Sequence, residues 1–200
     1  GNVASVQPAD LRDDAAKALR HFLSWLDESG WSQRVWGLFL CYGITWEWGI
    51  LGSDDWPDYS RPMQEYFRSW LHRTYDTDTK LQAAWGDAGV TLATAAIPSP
   101  EQRLSADGEL RIFPRDRSAY DFQRCLSDIN VEYLLHLART VREVTGDRYR
   151  LGTFYGYTLT ARAHDDFVSR VGAGGLQGGH HSLRRLQESR LFDFLASPYV

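Results

Sequence analysis

The stretch Trp36-Gly-Leu-Phe-Leu-Cys-Tyr-Gly-Ile-Thr-Trp-Glu47-Trp-Gly49 constrains the chain more than any other. From Val35 to Ile44 it is almost wholly apolar and does not alternate, which suits a strand buried on both faces of a parallel sheet. Its exit carries one carboxylate, Glu47, set between Trp46 and Trp48. An acid bracketed by flat indoles is unusual for a core to carry. In α/β barrels the residues that do chemistry sit at the C-terminal ends of the strands. Glu47 is therefore a candidate functional carboxylate in a sugar-binding cleft.

The flanking pattern agrees with an α/β chain. Leu11, Ala15, Leu19, Phe22, Leu23 and Leu26 recur at helical spacing behind Asp10 as a cap, predicting a helix over 9–28 that Ser29-Gly30 closes. After Glu47 a Gly/Asp/Pro-rich loop, 49–61, carries Asp54, Asp55, Trp56 and Tyr59. Long loops at that end of a barrel commonly build the site. Helices are predicted over 63–73 and 78–84, the second with Thr77 or Asp78 as cap and Gly86 as its stop. Residues 88–112 look least regular, because Pro98-Ser-Pro100 breaks any element. A long helix follows over 118–145, stopped by Gly146, then a second buried strand over 149–157. A short helix is expected over 182–189 and a third strand over 191–199. Asp193, inside that strand, is expected to pair with an arginine.

Composition narrows the partners. The formal charge of −4 leaves no basic footprint, so nucleic acid is not an expected partner. No apolar run approaches the roughly 18 residues of a membrane span. The first eight residues have no positively charged, apolar secretory pattern. Cys41 and Cys125 are expected as buried free thiols, with neither a disulfide framework nor metal-ligand spacing. The informative excess is aromatic, 8 Trp, 10 Tyr and 9 Phe, because flat rings both fill cores and stack on the apolar faces of sugars.

Candidate sugar contacts follow from position. Trp46, Trp48 and Trp56 lie at the first strand's exit and in the loop after it. Tyr155 and Tyr157 end the second strand, and alternation sends both to one face: either both line the mouth or both pack outward. His180 and His181, in a Gly-rich loop, can donate hydrogen bonds to a sugar. Adjacent histidines diverge and no acid stands at ligand spacing, so no metal is expected. The surrounding glycines do not form a phosphate-binding fingerprint.

The segment Tyr66-Phe-Arg-Ser-Trp-Leu-His-Arg-Thr-Tyr75, its continuation Leu81-Gln-Ala-Ala-Trp-Gly86, the helix with Asp121-Phe-Gln-Arg124, and a strand ending Ser197-Pro-Tyr199 together resemble the family-42 β-galactosidases. These belong to a clan of retaining glycoside hydrolases built on (β/α)8 barrels. The resemblance runs from the first helix to the last strand and leaves out the middle excursion. It implies a partial TIM barrel, strands four to six with the helices between them, forming one domain over 1–200 with an irregular insertion at about 88–115. It also implies Glu47 as general acid/base, Tyr199 facing the sugar pocket, a carbohydrate substrate and no cofactor. Trp46 stands where the family usually has the Asn that contacts the sugar 2-hydroxyl. The nucleophile belongs to strand seven, beyond Val200. Retaining hydrolysis needs two carboxyls about 5–5.5 Å apart, so this chain holds half of the pair.

The same residues admit two other readings. One is a non-catalytic carbohydrate-binding barrel relative, with Trp46 replacing the sugar-contacting Asn. The other is a fragment that folds as a homo-oligomer or against missing barrel segments, since three parallel strands leave two open edges.

Overall fold

A computed structural model describes residues 9–41, 59–103, 112–156 and 180–196, with side chains from Arg12 onward in the first stretch. Helix α1 (Ala9–Glu28) leads through a single 3-10 turn (Trp31–Arg34) into strand β1 (Gly37–Leu40). Helices α2 (Arg61–Tyr75), α3 (Asp78–Trp85), α4 (Pro100–Arg103) and α5 (Arg117–Thr145) follow, then β2 (Arg150–Phe154), α6 (Leu183–Ser189) and β3 (Phe194–Ala196). The strands form one three-stranded sheet in the order β1-β2-β3. Both pairings are parallel, with Leu40 beside Thr153 and Gly152 beside Phe194.

Local chemistry accounts for the helix ends. Ser60 caps α2 by accepting from Met63 N at 3.3 Å, and Pro62 falls in the first turn, where its missing N–H is no loss. Thr77 caps α3 through Lys80 N at 3.4 Å. Gly86 closes that helix at φ 64°. A Cβ there would stand 2.9 Å from the Pro114 ring, so both backbone and space require glycine.

Helix α5 is the centre of the core. Its Phe122, Leu126, Ile129, Leu134, Ala138 and Val141 are buried, together with Met63, Phe67 and Leu71 of α2, Leu23 and Leu26 of α1, and Leu40 and Leu151 of the sheet. Phe22 departs from its expected place: it is 45% exposed and stacks on Trp25 with ring centroids 6.1 Å apart. Leu23 and Leu26 take the buried stripe of α1, and Phe22 sits about 100° round the helix from Leu23.

Residues 88–99 form no strand, yet they do not stand away from the protein. Val90, Leu92, Ala95 and Ile97 are buried. Gln64 of α2 clamps this segment, donating to Ala95 O and accepting from Ile97 N, both at 2.9 Å. Arg68 adds a third bond to Ala95 O at 3.0 Å.

Asp193 precedes β3 instead of lying inside a longer strand, and it does pair with arginine. Its carboxylate accepts from Leu151 N at 2.8 Å, Arg150 at 2.7 Å and Arg142 at 2.8 Å. The backbone bond from Leu151, with the two guanidiniums, holds the carboxyl well below the usual aspartate range. Arg142 also donates to Leu191 O at 2.8 Å and Tyr149 O at 3.0 Å. This cluster locks the starts of β2 and β3 to the last turns of α5. Cys125 is buried and Cys41 half-buried, and both are free thiols.

Candidate functional site

The two faces of the sheet differ, and the difference orients the site. Leu40, Leu151, Thr153 and Tyr155 are buried; alternation places Leu151, Thr153 and Tyr155 on one face of β2, and register puts Leu40 beside Thr153. The opposite face carries Phe39, Gly152, Phe154 and Phe194. Phe39 meets Phe154 edge-on at 4.7 Å and Phe194 at 5.9 Å. A Cβ at Gly152 would stand 2.2 Å from the Phe194 ring, so this glycine lets an aromatic from β3 lie across β2. Phe39 is 37% and Phe194 40% exposed. In a closed barrel that face would be the interior.

The C-terminal strand ends are Leu40, Phe154 and Ala196. The connections leaving them, 42–58, 157–179 and 197–200, lie outside the described residues. Glu47, Trp46, Trp48, Trp56, Tyr157 and Tyr199 therefore lie outside them as well. Tyr155, His180 and His181 are described and form one joint.

Tyr155 takes the outward orientation. Its backbone N donates to Ala196 O at 2.9 Å, extending the β2–β3 pairing by one residue. Its ring stacks on His180 at 4.5 Å with an 11° interplanar angle. Its hydroxyl accepts from Ser182 N at 3.1 Å. Burial pushes the phenol well above its ordinary range. His180 is 1% exposed and accepts from Gly156 N through Nδ1 at 3.2 Å, which puts the proton of the neutral ring on Nε2. His181 is exposed, with Nε2 3.0 Å from Gln123 Nε2. Of the three, only His181 has a side chain open to solvent. Tyr155 and His180 fasten the strand end to the segment before α6.

That joint continues into α5. Ser182 Oγ donates to Asp128 at 2.8 Å, and the same carboxylate accepts from Trp70 Nε1 at 2.8 Å and Arg185 at 2.7 Å. Burial works to raise the Asp128 pKa, but the hydrogen bonds from Trp70, Arg185 and Ser182 outweigh it and hold the group below the usual range. One turn on, Glu132 accepts from Tyr66 Oη at 2.7 Å.

A further carboxylate, which the sequence analysis does not single out, lies toward the start of α5. Asp121 is fully buried. It accepts from the Tyr75 hydroxyl, from Trp85 Nε1 at 2.9 Å and from Arg117 Nε at 3.0 Å. Burial and the Asp121 bond push the Tyr75 hydroxyl up to about 12. Tyr75, Trp85 and Asp121 come from the Tyr66–Tyr75, Ala-Trp-Gly and Asp-Phe-Gln-Arg segments, and Arg117 lies one helical turn before the last of these. Those segments are thus a joint between α2, α3 and α5. Asp121, Cys125, Asp128 and Glu132 occupy one stripe of α5 at helical spacing, and acids recurring on an otherwise apolar face are the signal that would have found it.

Among the described residues no group of histidine, cysteine, aspartate and glutamate side chains could hold a metal ion, and no helix is long and apolar enough to cross a membrane.

Residues 47–169 match the family model described as β-galactosidase, Glyco_hydro_42. The match starts at Glu47, runs through residues 88–115 and ends at 169, so that excursion belongs to the family likeness while the first helix lies before it and the last strand after it. No curated protein matches the sequence. Among solved structures, the catalytic domain of a β-amylase from Paenibacillus polymyxa is similar over 98% of this chain and 49% of its own, at TM-score 0.72 and 15% identity. A β-galactosidase from the psychrophilic Marinomonas ef1 is similar over 84% of this chain and 23% of its own, at TM-score 0.51 and 20% identity. The chain thus spans about half or less of the structures it resembles. Both are TIM-barrel glycosidases, and the parallel sheet with its helical layer is consistent with part of such a barrel. The chain belongs to glycoside hydrolase family 42, the β-galactosidase family.

Proposed function

We propose that the chain is the central portion of a glycoside hydrolase that cleaves a terminal glycosidic bond with retention, β1, β2 and β3 being the fourth, fifth and sixth barrel strands. Glu47 would serve as general acid/base, and the nucleophile would come from residues outside this chain. The observation that carries this reading is the family match, which opens on Glu47, a few residues past the C-terminal end of β1. In the sequence Glu47 stands between Trp46 and Trp48; indoles packed on a carboxyl would favour its neutral form, which a general acid needs to donate to a leaving oxygen. Trp46, Trp48, Trp56, Tyr157 and Tyr199 would flank the sugar from the strand exits, with exposed His181 on the rim. Phe39, Phe154 and Phe194 support the need for cover on the inner face, from the remaining barrel strands or from a second copy.

The test is hydrolysis of nitrophenyl β-galactoside and related glycosides by the full-length parent and its Glu47→Gln variant. Loss of acid/base catalysis is expected to lower kcat/KM by about 10²–10⁴ for glycosides with a sugar leaving group, and for the nitrophenyl glycoside to lower kcat, through slower deglycosylation, more than kcat/KM. The loss in the first step should shrink for aryl leaving groups that need no protonation. Unchanged hydrolysis would remove Glu47 from the mechanism.

A further inference from the structure

A groove lies between α1, α5 and α6. Arg12, Asp13, Glu132, Leu135, His136, Arg139 and Arg185 line it, and its volume is about 290 Å³. Liquid water occupies about 30 Å³ per molecule, so the space takes a small ion with several waters. Glu132, Leu135, His136 and Arg139 recur along one face of α5. Arg12 and Asp13 come from the first turns of α1, and Arg185 from α6.

The charges in this groove are not evenly matched. Glu132 accepts from Tyr66 at 2.7 Å and lies 3.6 Å from Arg185. Arg185 is engaged at 2.7 Å by Asp128 as well. Asp13 faces His136 Nε2 at 3.5 Å. Arg12 and Arg139 form no ion pair with any described residue. Two guanidiniums thus face one concavity without an ion pair of their own; Glu132 there is taken up by Tyr66 and Arg185, and Asp13, largely exposed, meets only His136 among the described residues. The acids do not make the groove a cation site, since Asp13, Glu132 and His136 do not converge as metal ligands.

We propose that this groove is an oxyanion site, with a phosphate- or sulfate-type group held between Arg12 and Arg139. A guanidinium offers parallel N–H donors that match two oxygens of such a group. A tetrahedral ion presents enough oxygens for two arginines at once. The site lies on the helical layer and is independent of the hydrolytic reading.

The experiment is calorimetric titration of the chain with sodium phosphate against sodium chloride at matched ionic strength, then with the Arg12→Ala/Arg139→Ala double variant. Both side chains lie at the surface, and circular dichroism verifies that the variant keeps the fold. Saturable phosphate binding, weakened at least tenfold in the double variant and partly restored by Arg12→Lys/Arg139→Lys, is the expected result. Absence of saturable binding to the unaltered chain overturns the proposal, and so does equal binding by the alanine variant.

Discussion

Replacing Asp121 by alanine tests whether the buried joint between α2, α3 and α5 holds the fold together. The substitution leaves Arg117, whose side chain is 26% exposed, without its carboxylate, and strips the Tyr75 hydroxyl and Trp85 indole of their acceptor. Removing one partner of a buried ion pair costs about 3–5 kcal/mol. Arg117 regains some hydration at its exposed edge, so the lower end, about 3 kcal/mol, is expected. With a urea slope of about 2–3 kcal/mol/M for a domain of this size, the midpoint falls by roughly 1–1.5 M. Asp121→Asn keeps the shape and one acceptor oxygen, and should cost about 1–2 kcal/mol. Urea titrations followed by tryptophan fluorescence and far-ultraviolet circular dichroism measure both variants. A midpoint shift below about 0.3 M for the alanine variant would refute the claim that this cluster is a principal joint.

Three further outcomes are expected. The depressed pKa of Asp193 contributes stability that is complete above the ordinary aspartate value and is lost as pH falls below about 4; Asp193→Asn should cost about 1–2 kcal/mol at pH 7 and flatten the acid limb of stability against pH, and an unchanged limb contradicts the assignment. Gly37→Ala would bring a Cβ to 2.7 Å from the Arg150 carbonyl oxygen, which is backbone and cannot yield, whereas at Gly152 the exposed Phe194 ring can swing away; thermal melts should show about 2–3 kcal/mol for the first and about 1 kcal/mol for the second, and the reverse order rejects the packing described. Tyr155→Phe removes the acceptor for Ser182 N and should cost about 1 kcal/mol while leaving KM for a glycoside unchanged in the full-length parent, where a severalfold rise in KM would put the ring back in the cleft.

Helix positions were readable because caps and stripes are local. Thr77, Gly86 and Gly146 mark boundaries that fall within a residue or two of expectation, whereas α4 starts at Pro100, where a break is expected, because proline suits a helix's first turn. Phe22 was misplaced because a stripe of apolar residues does not say how wide its partner helix is. Strands were harder: β1, β2 and β3 are each shorter than the apolar runs that predicted them, since an apolar run records burial and not where pairing stops. The face of Tyr155 could not be read, because alternation fixes which residues share a side and not which side is covered. The site was legible only as positions. What the conspicuous Trp and Tyr residues of the helix motif do was hidden, because hydrogen bonds from Trp70 to Asp128 and from Trp85 to Asp121 join residues 58 and 36 apart.

The pairing of β1 with β2 sets a schedule for folding. The Thr153 hydroxyl meets the Leu40 carbonyl across 113 residues, so closing that loop costs about 4 kcal/mol of chain entropy before any contact compensates. On a ribosome adding about 5–20 residues per second, Gly37–Leu40 emerges roughly 6–20 seconds ahead of its neighbour. Through that interval an apolar strand has no partner, while α2, α3 and the start of α5 can already assemble around Asp121. Synthesis in the presence of holdase chaperones should therefore raise the yield of folded chain more than slower refolding from urea does.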